Sequence, residues 1–385
     1  MAEPLRAFQF FGFPGLPEPR SLQNETVDPR CWPTFARVTI CEGMLIPDPL
    51  ISAKNLAKTF VRPPSEFNKI IVHPRGTLRA DGLEEEYVAE TARYHLFVSG
   101  VCPWASGVRA AHHLLGLEGV ISMDVADGQS GFGWVFLNGT TCAPWATEGE
   151  AGQIIPSTAP FFLYTVMQLA DPRCTSRITV PLLFDKKTQK IVSNDSWTIL
   201  KILNSVFAPL GQVKTLDLFP LAYANDIEAL QSKLNADLLN GVYRGGIGLV
   251  MGNEAASVQA NRDVYRTLDE LDVLLSNQQF LIKYVPTITA VDIRLTMCLL
   301  RFDSAYRHAF RVVLPSDMGD NNTAGLLVDV GRYPSVARYL REVYALVRPT
   351  VDWPAFLQYY RWTVGHPASE PLPNLGAIMA SAEGR

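Results

Sequence analysis

The chain has 385 residues, with 34 Lys and Arg against 38 Asp and Glu, a formal net charge of −4, and 48% hydrophobic residues. That balance gives no electrostatic case for nucleic acid or an anionic membrane as partner, and it fits a globular enzyme and argues against disorder. The longest apolar stretch, around Phe161 to Leu169, is roughly half of a bilayer crossing, so no segment reads as a membrane anchor.

The start, Met1 to Arg20, lacks a basic segment followed by an unbroken apolar run, and the expected location is cytoplasmic. Cys31, Cys41, Cys102, Cys142, Cys174 and Cys298 show no short repeated spacing and have no paired histidines beside them. Free thiols in a reducing compartment are expected, with no metal site and no disulfide framework.

Residues 1–90 are rich in Pro and Gly and read as an irregular extension. From Tyr94 the pattern becomes a strand, then a helix from Pro103 closed by Gly116, then a second apolar strand over Val120 to Val125. This order is β-α-β, and such a crossover implies parallel strands. A Gly- and Thr-rich loop is expected between Gly128 and Gln153, and a helix-like stretch over Phe161 to Leu169.

Ile178 to Phe184, the polar turn Asp185 to Thr188 and Lys190 to Val192 read as a hairpin, with Asn194-Asp195-Ser196 starting a helix after it. Strand, helix, strand, helix, hairpin, helix is the order of a thioredoxin-like domain. Beyond residue 215 strand signals vanish, and 221–240 and 262–276 carry helical periodicity, as in Val264, Leu268, Leu271 and Leu275. Thr289-Ala290-Val291-Asp292 is a capping box opening a largely apolar helix, expected at the centre of a bundle. The expected fold class is α/β plus all-α. Its divisions are an extension (1–90), a thioredoxin-like domain (91–210), an all-helical domain (215–365) and a tail (366–385).

Cys102-Pro103-Trp104-Ala105 follows the first strand and opens the first helix. Unpaired amides and the positive end of the helix dipole favour a thiolate there, and Pro103 has no N–H to leave unpaired. With Ala105 three residues on, the motif is not a Cys-x-x-Cys pair, so a mixed disulfide at Cys102 would need a thiol from elsewhere. Cys142, in Thr141-Cys142-Ala143-Pro144-Trp145, echoes the motif without a strand before it or a helix after it.

Val180-Pro181 reads either as an ordinary edge proline or as the cis proline of a thioredoxin-like domain. Asp195-Ser196 reads as a helix cap, and also as a place for a ligand carboxylate. Arg177 and Trp134 are unremarked by composition, and Tyr243, Tyr306, Tyr359 and Tyr360 default to packing.

Arg93 to Ser99 leading into Cys102 to Ala105, then Gly133-Trp134, Ile178 to Pro181 and Ile191 to Ser196 follow the motif order of the glutathionyl-hydroquinone reductases, or Xi-class glutathione transferases. Asp217 to Pro220, Asn240 to Arg244, Asp292 to Leu295 and Arg301 to Asp303 extend that resemblance through the second half, so it runs from about residue 60 to 366. The resemblance implies a homodimer that takes glutathione as co-substrate and glutathionyl conjugates as substrates. It implies Cys102 as nucleophile, assisted by Tyr243, Tyr306 and Tyr360 or Tyr359, with Trp134, Arg177, Val180, Asp195 and Ser196 holding glutathione. Where the family usually continues its cysteine motif with Ala-His-Arg, this chain has Ala105-Ser106-Gly107, which is expected to remove one cation from beside the thiol. Alternatives are an omega-like thiol transferase or dehydroascorbate reductase, and a non-catalytic binding module of the same fold.

Overall fold

The computed structural model describes residues 38–41, 44–47, 65–69, 71, 87–130, 133–136, 161–250, 252–307, 310–313, 332–353 and 356. Within the extension, β1 (Val38–Cys41) and β2 (Met44–Pro47) form an antiparallel hairpin, so that region is not irregular throughout. Ile40 also exchanges both backbone hydrogen bonds with Ser176, at 2.9 Å each.

The centre of the first half is β3 (Tyr94–Ser99), whose six residues are all buried. A strand covered on both faces reads as a nearly continuous apolar run, which is what Tyr94-His95-Leu96-Phe97-Val98 shows. It leads through α1 (Pro103–Leu114) to the parallel strand β4 (Ser122–Ala126), as the crossover requires. Gly116 follows α1 at φ +64°, a left-handed conformation that side chains other than glycine's rarely adopt.

The expected loop after Gly128 contains two short strands instead, β5 (Gly128–Ser130) and β6 (Gly133–Phe136), joined by β7 (Phe161–Phe162) in a small antiparallel sheet. Their brevity and glycines hide them from periodicity. The helix expected from Phe161 starts two residues later, as α2 (Leu163–Ala170), because Phe161 and Phe162 pair with Phe136 and Val135. Gly133 is required here, since its φ is +101° and a Cβ would stand 2.9 Å from Ile178 Cγ2.

The hairpin is β8 (Leu182–Asp185) and β9 (Lys190–Ser193), giving the sheet order β4-β3-β8-β9 with β8 antiparallel to both neighbours. Ile178 to Pro181 stays outside the ladder, and the Val180–Pro181 peptide is cis. Asp185 closes the turn by accepting from the Lys187 amide (2.9 Å), the Thr188 hydroxyl (3.0 Å) and Arg93 Nε (2.9 Å). Then comes α3 (Ser196–Ile202). This is a thioredoxin-like order of elements.

The second half is helical among the described residues, with α4 (Ala224–Leu234), α5 (Gly241–Val250), α6 (Glu254–Ser276), α7 (Ala290–Leu299) and α8 (Pro334–Val347). All ten residues of α7 are buried, as expected of a central helix. Its capping box is present, and Asp292 accepts from the Thr289 amide (2.7 Å), the Leu281 amide (2.9 Å) and the Tyr339 hydroxyl (3.1 Å). Burial pushes this carboxyl above its usual range. Helix α1 packs directly on α7, so the cysteine-bearing helix of the first half rests on the core helix of the second.

Candidate active site

Cys102 is the N-cap of α1, with extended backbone and a half-buried side chain, and its carbonyl accepts the Ser106 amide at 2.9 Å. Pro103 occupies the first helical position, as its lack of an N–H favours. The thiol points across to the residue before the cis proline, placing Sγ 3.6 Å from the Val180 carbonyl oxygen. A helix amino-terminus thus meets a bare backbone edge at one sulfur atom.

Val180 is also a wall of a cavity of about 330 Å3 set between the two halves of the chain. The thioredoxin-like side contributes Arg177, Thr179, Val180, Asn194, Asp195 and Ser196. The helical side contributes Glu228, Gln231, Ser232, Asn235 and Arg294, while Ser65 and Glu66 of the extension line it as well. The extension reaches this place by backbone pairing, since the Lys69 amide donates to Val192 O (2.9 Å) and the Asn194 amide to Phe67 O (3.1 Å).

Asp195 caps α3 by accepting the Thr198 amide at 2.8 Å, so both readings of this residue keep their footing. Two polar atoms among the cavity residues, Asn194 Oδ1 and Gln231 Oε1, are buried and accept no hydrogen bond from the described residues. Buried acceptors normally find a donor, and an amide- or ammonium-bearing ligand carries such donors.

An aromatic cluster joins the start of α1 to the helical side. Trp104, two residues after Cys102, stacks on Tyr243 with centroids 6.5 Å apart, and Tyr243 contacts Tyr306 (5.9 Å) and Phe310 (5.2 Å). The Arg294 guanidinium lies over both Trp104 (4.8 Å) and Trp197 (5.3 Å), and Trp197 donates to the Glu228 carboxylate at 3.1 Å. A cation over two indole faces ties α1, α3 and α7 together at the cavity wall.

No family model matches the chain. It is 30% identical over 293 residues to the glutathionyl-hydroquinone reductase PcpF of Sphingobium chlorophenolicum, a match covering 75% of this chain and 84% of the relative. It is 33% identical over 269 residues to the glutathionyl-hydroquinone reductase YqjG of Escherichia coli (strain K12), covering 68% and 77%. The chain belongs to the glutathionyl-hydroquinone reductase family. The glutathione-bound structure of YqjG, a glutathione transferase homologue, superposes with TM-score 0.63 at 25% identity, covering 89% of this chain and 93% of that one.

Of the residues expected to serve this family's chemistry, Arg177, Val180, Asp195 and Ser196 come together as cavity walls, with Cys102 at the edge through Val180. Tyr243 stands behind Trp104, and Tyr306 is fully buried behind Tyr243. Trp134 lies on β6, largely buried, and is not among the cavity walls. Tyr359, Tyr360 and Cys142 lie outside the described residues.

Sequence reasoning missed the cations. Ser106-Gly107 still lacks the one cation the family carries there, but two others come from the second half, Arg294 over the Trp104 ring and Arg301 on the Val101 carbonyl. No local spacing announces them, because each acts across about 190 residues of chain. Cys174 and Cys298 differ from Cys102 in being fully buried, and burial pushes each thiol up to about 12.

Proposed function

We propose that this reductase converts S-glutathionyl-hydroquinones to hydroquinones with glutathione, through a mixed disulfide on Cys102. The observation that carries the reading is Cys102 at the α1 amino-terminus, with Sγ 3.6 Å from Val180 O, at the edge of a cavity walled by Arg177, Asp195 and Ser196. In the first step the Cys102 thiolate attacks the sulfur of the conjugate. A Cys102–glutathione disulfide forms, the bond from that sulfur to the aromatic carbon breaks, and its electron pair stays on the ring. The ring carbon takes a proton from solvent or Tyr243, giving the hydroquinone. A second glutathione thiolate then attacks the mixed disulfide, leaves as oxidised glutathione and regenerates Cys102.

In this reading the cavity residues Arg177, Val180, Asp195 and Ser196 hold the glutathionyl part, and the buried acceptors of Asn194 and Gln231 suit its amide and ammonium donors. Tyr306 packs Tyr243 in place, and the family resemblance assigns Tyr360 the third tyrosine role. The reading includes domains at 91–210 and 215–365, a homodimer, and a cytoplasmic location, in keeping with Cys102, Cys174 and Cys298 as free thiols. Steady-state rates with glutathione, on a glutathionyl-hydroquinone and on dehydroascorbate, test it. Faster turnover of the conjugate is expected. Preference for dehydroascorbate would favour omega-like chemistry, and no turnover of either would favour a binding module.

A further inference from the structure

Arg301 follows α7 and is 2% exposed, one of the largest fully covered side chains in the molecule. Its fork does not meet a carboxylate. Nε donates to Val101 O (3.1 Å), one terminal nitrogen to Gly100 O (2.8 Å) and Ser106 Oγ (2.9 Å), and the other to Met297 O. Phe356 covers its face at 5.0 Å. Ser106 Oγ passes the grip on by donating to Gly100 O at 3.0 Å.

Three of these four acceptors belong to the two residues before Cys102 and to the first turn after it. The carbonyls of Gly100 and Val101 are negative dipole ends on the two residues before Cys102, and the guanidinium occupies both. A buried cation bonded only to neutral groups is costly unless an anion stands nearby. Among the described residues no carboxylate pairs with Arg301. The other charged groups around the loop are Arg109 of α1 and Asp352, both near Gly100, Arg294 of α7 over Trp104, and the Asp303–Arg307 pair at 3.8 Å.

We propose that Arg301 is a positioning residue for Cys102: its fork fixes the Gly100–Val101 loop and the first turn of α1 from the helical half, and its charge balances the Cys102 thiolate. The inference rests on Cys102 being the reactive thiol of the proposed function. It also assigns the second half a part in the chemistry through residues that do not touch substrate. Ser106 fits the arrangement because its small hydroxyl both accepts from Arg301 and donates to the loop.

The test is the pH dependence of Cys102 alkylation by iodoacetamide, read by peptide mass spectrometry in the full chain, for wild type, Arg301→Lys and Arg301→Met. Lysine keeps the charge but not the fork, and methionine keeps neither. The midpoint is expected to rise in the order wild type, Arg301→Lys, Arg301→Met. The methionine variant should be slowed about tenfold below the wild-type midpoint, the effect of one pK unit, and the lysine variant about threefold. A purely structural role would lower melting temperature without moving the midpoint. An unmoved midpoint in Arg301→Lys overturns the proposal even where Arg301→Met fails to fold. A wild-type midpoint near the ordinary thiol value of about 8.5 overturns the underlying reading of Cys102 instead.

Discussion

Asp195 is the residue at which capping and ligand binding are separable by experiment. Its carboxylate accepts the Thr198 amide at 2.8 Å and also lines the cavity. Asp195→Ala loses the cap, at a cost of about 1 kcal/mol, and so lowers the melting temperature by about 1–2 °C in a chain of this size. Asp195→Asn keeps the cap, because asparagine is as good an N-cap, and should melt within a few tenths of a kcal/mol of wild type. Both variants lose a charged hydrogen-bonding group facing the ligand, worth roughly 1.5–3 kcal/mol, which corresponds to glutathione bound about 10- to 100-fold more weakly. Thermal melts and titration calorimetry with glutathione measure the two effects on the same samples. Asp195→Asn binding glutathione as wild type does would refute the ligand role and leave Asp195 as a helix cap alone.

Iodoacetamide at pH 7 should label Cys102 and spare Cys174 and Cys298, whose burial holds their thiols up at about 12; peptide mapping that finds either buried cysteine modified in the folded protein contradicts this. Asp292→Ala leaves the Thr289 and Leu281 amides and the Tyr339 hydroxyl without their buried acceptor. It should cost about 3–5 kcal/mol in urea denaturation, and a loss below about 1 kcal/mol would be too small for this arrangement. Burial holds His95 and His112 below the ordinary imidazole value of about 6.5. Protons therefore bind the unfolded chain first. Stability should be full above about pH 6.5 and fall below it by up to about 1.4 kcal/mol per pH unit for each ring. Urea midpoints unchanged between pH 7.5 and 5 would contradict that.

What was legible in the sequence was whatever neighbouring residues decide. Proline after Cys102, the Asn194-Asp195-Ser196 start and the Thr289–Asp292 box each fix a helix end locally, and all three helices begin where those residues place them. The βαβ order and the hairpin followed from apolar runs punctuated by turns. The shift of the hairpin's first strand to Leu182 follows from the proline, which has no N–H for a ladder.

What was not legible depends on chain segments far apart. Strands as short as Gly128–Ser130 and Phe161–Phe162 exist only because partners pair with them. Arg294 and Arg301 fall within motifs of the family resemblance, but what they touch shows only once α7 is set against α1, and Glu66 joins the cavity only because Phe67 and Lys69 pair with the edge of β9. The tyrosines were placed by resemblance alone. The structure gives Tyr243 a position against Trp104, with Tyr306 packed behind it.

The central claim is that the glutathionyl group passes through Cys102. Intact-protein mass spectrometry after mixing with one equivalent of a glutathionyl-hydroquinone, with no free glutathione present, tests it most directly. One glutathione should be found in disulfide linkage on Cys102, with one equivalent of hydroquinone released, and added glutathione should remove the adduct. Hydroquinone release of equal size in Cys102→Ala, or release without any adduct on Cys102, would contradict it.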